Sequence, residues 1–299
     1  MLRQSRYFGP ETFTIDETIM TGTDNQLPAG HPAPAHIMGI ISYLAASILL
    51  YFQIELSIIP LGIFLATCFF APFFPGTGYF LPIITHGKPA QKAVAITFDD
   101  GPDPLSTSKL LGLLSKYTVK ATFFVSGKNA ARYPELMNAI IQAGHTVGNH
   151  TFHHDTLIML KGKNALTKEI ESAQNVLKTY GIRPFVFRPP AGITNPVLGG
   201  ILVKFGMHCV NFRCRAFDTG NRKIWNLAKK ILHRARPGDI ILLHDTIPVK
   251  KTEHTLSDWL NEIEKILVGL KKKGLSILPL SEIIHKPVME LVGDKMNDV

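Results

Sequence analysis

Ala93-Val94-Ala95-Ile96-Thr97-Phe98-Asp99-Asp100-Gly101-Pro102 runs from an apolar segment straight into two adjacent carboxylates. Val94 to Phe98 reads as a strand, and in α/β proteins the downstream strand ends collect the reactive groups. Working outward, further strands are expected at Ala121 to Val125, Thr146 to Asn149, Phe185 to Arg188, Met207 to Phe212, Ile240 to Leu243 and Leu275 to Leu278. Helices are expected between them, near 106–116, 134–143, 165–180, 195–205, 223–235 and 255–272. Pro134 suits a first helical turn and Gly144 a stop. This alternation implies an α/β fold with a mostly parallel sheet covered by helices. Periodicity alone does not separate an open sheet from a closed barrel.

Two neighbouring carboxylates repel unless a cation or a proton holds them together. A cation bound by one leaves the other to accept a proton from water. His150 and His154 lie four residues apart, a spacing that puts both rings on one side if the segment makes a helical turn. With Asp100 they offer two imidazoles and one carboxylate, a donor set suited to Zn²⁺ and compatible with other divalent transition ions. Arg188 follows another apolar strand and is expected to grip Asp99 through paired, charge-assisted hydrogen bonds. Pro189 and Pro190 stiffen the backbone after it, which helps fix an amide donor beside an oxyanion. His244 ends the apolar Ile240-Ile241-Leu242-Leu243 run and can protonate a departing amine near neutral pH. Asp218 is a candidate to orient His244, or else a strand-terminating residue that bonds its own backbone.

In order along the chain, these motifs resemble those of the polysaccharide deacetylase family, carbohydrate esterase family 4. The match extends from about Ala93 to Leu280 and begins with Thr97-Phe98-Asp99-Asp100. It continues through His150-Thr151-Phe152-His153-His154, Arg188-Pro189-Pro190 and Ile241-Leu242-Leu243-His244. The resemblance implies a distorted (β/α)7 barrel. It also implies Asp99 as catalytic base, Asp100, His150 and His154 as metal ligands, His153 as a bystander and His244 as general acid. Two departures stand out. Ala191 occupies a position that is often tyrosine, so only its backbone N–H remains for an oxyanion. The stretch Arg215-Ala216-Phe217-Asp218-Thr219 matches the second carboxylate of the fourth motif with Asp218, but has Arg215 for the first and Thr219 for the tryptophan. The implied reaction is removal of N-acetyl groups from an amino-sugar polymer such as peptidoglycan or a chitin-like chain. A lipid-linked sugar, a small amide or ester, and noncatalytic carbohydrate binding are the competing readings.

Ahead of this segment the chain changes character. Residues 1–36 are polar and rich in proline and glycine, which predicts a flexible tail. Residues 37–74 are almost continuously apolar apart from Gln53 and Glu55, long enough for two short membrane spans meeting near Gln53 to Pro60 or one kinked span. A linker at 75–92, a catalytic domain at 93–282 and a C-terminal tail at 283–299 complete the expected organisation.

The formal charge of +9 is carried behind Gly87, since only Arg3 and Arg6 stand against five acidic residues before it. Such a surface suits anionic polymers or lipid headgroups as well as plain solvation. No aromatic-interleaved arginine track or zinc-finger spacing supports nucleic-acid binding, and no protein partner is predicted. Membrane lipid and an N-acetylated carbohydrate are the expected partners. A wall substrate requires an extracytoplasmic domain, but Arg3, Arg6, Lys88 and Lys92 do not assign the side. Cys68, Cys209 and Cys214 make no disulfide framework and read as small packed residues.

Overall fold

In the computed structural model, which describes residues 32–74, 76–218, 220–222, 224–246 and 253–292, the chain enters through two apolar helices. Helix α1 spans Pro34–Phe52, with its proline in the first turn where the missing N–H costs nothing. It begins three residues before the apolar run. The chain breaks at Gln53, then resumes as α2, Ile58–Phe70, flanked by single 3₁₀ turns at Ile54–Leu56 and Ala71–Phe73. Of the two spans or one kinked span expected, the structure has two helical segments, of 19 and 20 residues, each long and apolar enough to cross a membrane. They approach closely at Gly39, where an added Cβ would lie 3.1 Å from Phe64. Residues 1–31 of the expected tail lie outside the described residues.

The remaining elements alternate. They are β1 (Ile83–Ile84), β2 (Ala93–Asp99), α3 (Thr107–Lys116), β3 (Thr122–Val125), α4 (Gly127–Arg132), α5 (Pro134–Gln142) and β4 (Thr146–Asn149). Then come α6 (Lys163–Lys178), β5 (Ile182–Pro184), β6 (Val186–Phe187), α7 (Leu198–Phe205), β7 (His208–Val210) and β8 (Cys214–Arg215). Last are α8 (Leu227–Arg234), β9 (Ile240–His244), α9 (Glu253–Lys272), β10 (Ser276–Ile277), α10 (Leu280–Ile284) and β11 (Met289–Leu291). The main sheet runs β1-β7-β6-β4-β3-β2-β9-β8, all neighbours parallel, with β10 joining the start of β2. It curls into a distorted barrel whose path ends at β1 and β8.

Strand β2 is central, and all seven of its residues are buried because neighbours pair with both edges and the sheet's two faces are covered. All seven expected strands are present, several shortened. Strands β1, β5, β8 and β11 were not expected, since two or three residues are too few to show periodicity. The Met207 to Phe212 run shortens to β7, which carries Cys209, while Cys214 lies on β8. Burial pushes both thiols up to about 12, as befits packed residues.

The segment between hairpin and catalytic motifs is part of the domain. Tyr79, Phe80 and Leu81 are buried with Leu198 and Ile201, and Ala35, Met38, Cys68 and Ala71 of the helical hairpin pack on the same cluster. The Ala35 N–H donates to the Tyr79 carbonyl, and the Thr67 and Tyr79 hydroxyls meet at 2.8 Å. At the other end, part of the expected tail folds back: Ile283 and Val288 are buried and β11 pairs antiparallel with β5. Residues 293–299 lie outside the described residues.

Candidate active site

Strand register assembles the site. Asp99 pairs with His244 on β9 and Phe124 on β3, while Asn149 pairs with Val125 and Phe187. The residues one step beyond Asn149 and Phe187 are His150 and Arg188, so all these groups stand at one end of the barrel. Close packing below them needs Gly148, where an added Cβ would lie 2.5 Å from Phe124. The Phe124 ring in turn underlies the Arg188 guanidinium at 3.9 Å.

Arg188 is fully buried and all three of its guanidinium nitrogens donate to the strand ends. Its Nη1 donates to Asp99 Oδ1 at 2.5 Å and to Thr97 Oγ1 at 2.8 Å. Its Nε and Nη2 donate to the carbonyls of Val210 and Asn211. The expected grip on Asp99 is therefore a single charge-assisted bond, not a pair, because the other arms brace the β7 end. Burial lowers the Arg188 pKa, and the Asp99 charge works against that fall. Only Asp99 Oδ2 is left to face the histidines, 3.8 Å from His150 Nε2.

Asp100 turns out of the strand with φ 76°, a left-handed conformation that Asp tolerates better than most residues. Its Oδ1 lies 3.5 Å from His150 Nε2 and 3.0 Å from His154 Nε2. Donor atoms of Asp100, His150 and His154 all lie within 4.8 Å of one another. The helical turn expected to align the two histidines is absent. Residues 150–154 form a loop in which Thr151 and His154 take positive φ. The rings converge because side chains stitch that loop: Asn149 Oδ1 accepts from Thr151 N–H, and Thr151 Oγ1 from His154 N–H. Glu169 on α6 accepts the N–H groups of Phe152 and His153 and also pairs with the exposed His153 ring, which points away from the ligand set.

This donor set fits a divalent cation. His150 Nδ1–H donates to the Arg188 carbonyl at 2.7 Å, leaving Nε2 as the lone-pair nitrogen toward Asp100. Burial and the neighbouring His150 lower the His154 pKa, favouring the neutral ring. Burial works against ionising Asp100, yet when the rings are protonated the hydrogen bond from His150 and the charges of His154 and His244 hold it below the usual carboxylate range, and a metal ion would take the place of those protons. Neutral imidazoles and an ionised carboxylate are the forms a metal ion requires.

Across the pocket, His244 Nδ1–H donates to Asp218 Oδ2 at 2.8 Å. Burial opposes the imidazolium, but the bond and charge of Asp218, then the charges of Asp100 and Asp99, raise the His244 pKa to about 9. Asn221 holds the strand end by donating to the carbonyls of His244 and Thr246. Ala191 lies exposed in a single 3₁₀ turn with φ 56° on the pocket wall. Asp99, Asp100, His150, His154, Ala191, Asp218 and His244 line one cavity of about 610 Å³, together with Arg215, Phe217 and Arg222. Thr219 lies outside the described residues.

Every sequence-expected site residue thus reaches the same cavity, except Arg188, which sits directly beneath it. Asn149, Glu169, Asn221 and Thr97 were missed. Their only local signal was a polar residue beside an apolar strand or on a helix, which does not tell a buried bracket from a solvated side chain.

The sequence profile of the polysaccharide deacetylase family matches residues 86–210. A peptidoglycan-N-acetylglucosamine deacetylase of Bacillus cereus is 32% identical over 201 residues, covering 65% of this chain and 89% of the relative. A chitooligosaccharide deacetylase of Azorhizobium caulinodans is 34% identical over 197 residues, covering 64% and 93%. Among solved structures, the Bc1960 peptidoglycan N-acetylglucosamine deacetylase superposes with a TM-score of 0.62 at 27% identity, over 69% of this chain and 94% of that one. Sequence, fold and the geometry of the strand ends agree: the chain belongs to the polysaccharide deacetylase family, carbohydrate esterase family 4.

Proposed function

We propose that this chain is a membrane-attached deacetylase that hydrolyses the N-acetyl amide of amino sugars in a peptidoglycan or chitin-like polymer. The observation that carries the reading is the convergence on one cavity of three metal-donor side chains, an arginine-held carboxylate and a carboxylate-held histidine. Saccharide binding alone needs no such combination of acid, base and ligand set.

Asp100, His150 and His154 would hold the ion, zinc by donor type. Once bound, it supplies Lewis acidity, polarising the acetamide carbonyl and acidifying water. Asp99, its Oδ1 tied to Arg188, accepts the proton of the attacking water on Oδ2. The Ala191 backbone N–H donates to the oxygen on which negative charge develops. His244, protonated and held by Asp218 through Nδ1, delivers a proton from Nε2 to the sugar nitrogen, so acetate and a free amine are released. The two apolar helices support attachment to a lipid bilayer, with the catalytic domain at an extracytoplasmic wall polymer.

The test is a panel of chitooligosaccharides, peptidoglycan and a lipid-linked N-acetylated sugar, with acetate and new amine both quantified. Asp100→Ala, His150→Ala and His154→Ala should each lose metal and activity together while keeping the fold. Normal metal occupancy in all three variants overturns the ligand set, and absence of acetate release from every amino sugar overturns the activity.

A further inference from the structure

We propose that the substrate carries an oxyanion, carboxylate or phosphate, beside the acetylated amine, and that Arg215 and Arg222 bind it. This rests on the deacetylase reading and specifies its substrate class. Arg215 ends β8 in register with Leu242, and Leu242 shares its strand face with His244. Register thus brings the guanidinium to the general-acid side of the cavity, which Arg215, Arg222, Leu242 and His244 all line.

Its orientation comes from aromatic rings. The Arg215 guanidinium lies 4.1 Å from the Phe217 ring centroid and 5.4 Å from that of Phe212. Arg234 stands over the same Phe217 ring at 4.9 Å. Burial and then the charge of Arg234 lower the Arg215 pKa, and the charge of Asp218 works against that fall. Among the described residues neither Arg215 nor Arg222 forms an ion pair.

The carboxylates of the cavity are committed elsewhere: Asp99 to Arg188, Asp218 to His244, Asp100 to the two histidines. A neutral sugar would offer neither arginine an ion-pair partner. An oxyanion would offset the repulsion between Arg215 and Arg234 and accept the several donors a guanidinium presents in a fixed plane. Arg215 also reverses the charge of the carboxylate that the motif comparison expects at this position, so an anion takes the place of a repelled group.

The experiment compares acetate release by the full chain in detergent from three probes. They are a neutral N-acetylglucosamine tetramer, a peptide-free glycan containing N-acetylmuramic acid, and N-acetylglucosamine 1-phosphate. The expected result is a kcat/KM preference of about tenfold or more for one anionic probe, weakening as salt rises. Whichever anionic probe is preferred separates carboxylate from phosphate. Arg215→Gln and Arg222→Gln should each cut that preference several-fold, chiefly through KM, and Arg215→Lys should restore part of it. Equal or better turnover of the neutral tetramer by the wild type overturns the proposal, as does an unchanged preference in both glutamine variants. If no probe releases acetate, the deacetylase reading fails separately. Calorimetry then decides the anion subsite: binding of an anionic probe that Arg215→Gln weakens upholds it, and no such binding overturns it.

Discussion

Replacing Asp218 by asparagine should make His244, the proposed general acid, fail under mildly alkaline conditions. The His244 pKa stands at about 9, against an ordinary 6.5, and Asp218 is the largest influence raising it. Asparagine keeps the size and can still accept from Nδ1–H, but removes the charge that offsets burial. If the ring falls back to its ordinary value, its protonated fraction at pH 8 drops from about nine-tenths to about 3%, a loss of roughly 30-fold in the amide reaction. At pH 6 both proteins are largely protonated and the defect shrinks to less than about twofold by the same relation. The assay is kcat for acetate release from a chitooligosaccharide across pH 5.5–9.5 in wild type and Asp218→Asn. An equal loss at pH 6 and pH 8, or an alkaline limb that stays in place, refutes the assignment of Asp218 as the group that charges His244. Stability carries the same sign. The folded pKa is raised, so the contribution is fully present below about pH 6.5 and lost as pH rises through about 9. Its size is on the order of 3 kcal/mol. Wild-type thermal stability should therefore fall across that window more steeply than that of Asp218→Asn.

Arg188→Met should destabilise the detergent-solubilised chain by about 3–5 kcal/mol, because it strands the Asp99 carboxylate in the interior. Adding Asp99→Asn to Arg188→Met should recover part of that loss in chemical denaturation, and a double variant no more stable than the single one would remove the ion pair as the cause. Full-length protein should fractionate with membranes, whereas a chain beginning at Gly76 should be largely soluble. A start at Gly87 deletes β1 and the buried Tyr79, Phe80 and Leu81, and should yield a less stable domain in thermal unfolding. Recovery of the full chain as a soluble monomer without detergent would sink the membrane assignment.

The sequence by itself determined the chemistry-bearing positions, because each follows an apolar run that has few alternatives to a buried strand. Asp99 and Asp100 after Phe98, Arg188 after Phe187 and His244 after Leu243 were legible in this way. The parallel α/β class followed from the alternation of strand and helix patterns, and an apolar segment of one kinked or two short spans from length and hydropathy; the structure has two helices there. What only the tertiary structure decided is how those strand ends lie side by side. Pairing of Asp99 with His244, 145 residues apart in sequence and adjacent in register, depends on β9 docking against β2, which no local pattern encodes. The His150 to His154 spacing pointed to two rings that do converge with Asp100, but through the wrong geometry, since an Asn149, Thr151 and Glu169 bracket bends a loop where a helix was expected. The short strands β1, β5, β8 and β11 were invisible because two or three residues gain order from neighbours across the sheet and not from their own periodicity. For the same reason Arg215 read only as a departure from a motif. Its place on the cavity wall, between two aromatic rings and without an ion-pair partner among the described residues, exists only once β8 lies beside β9.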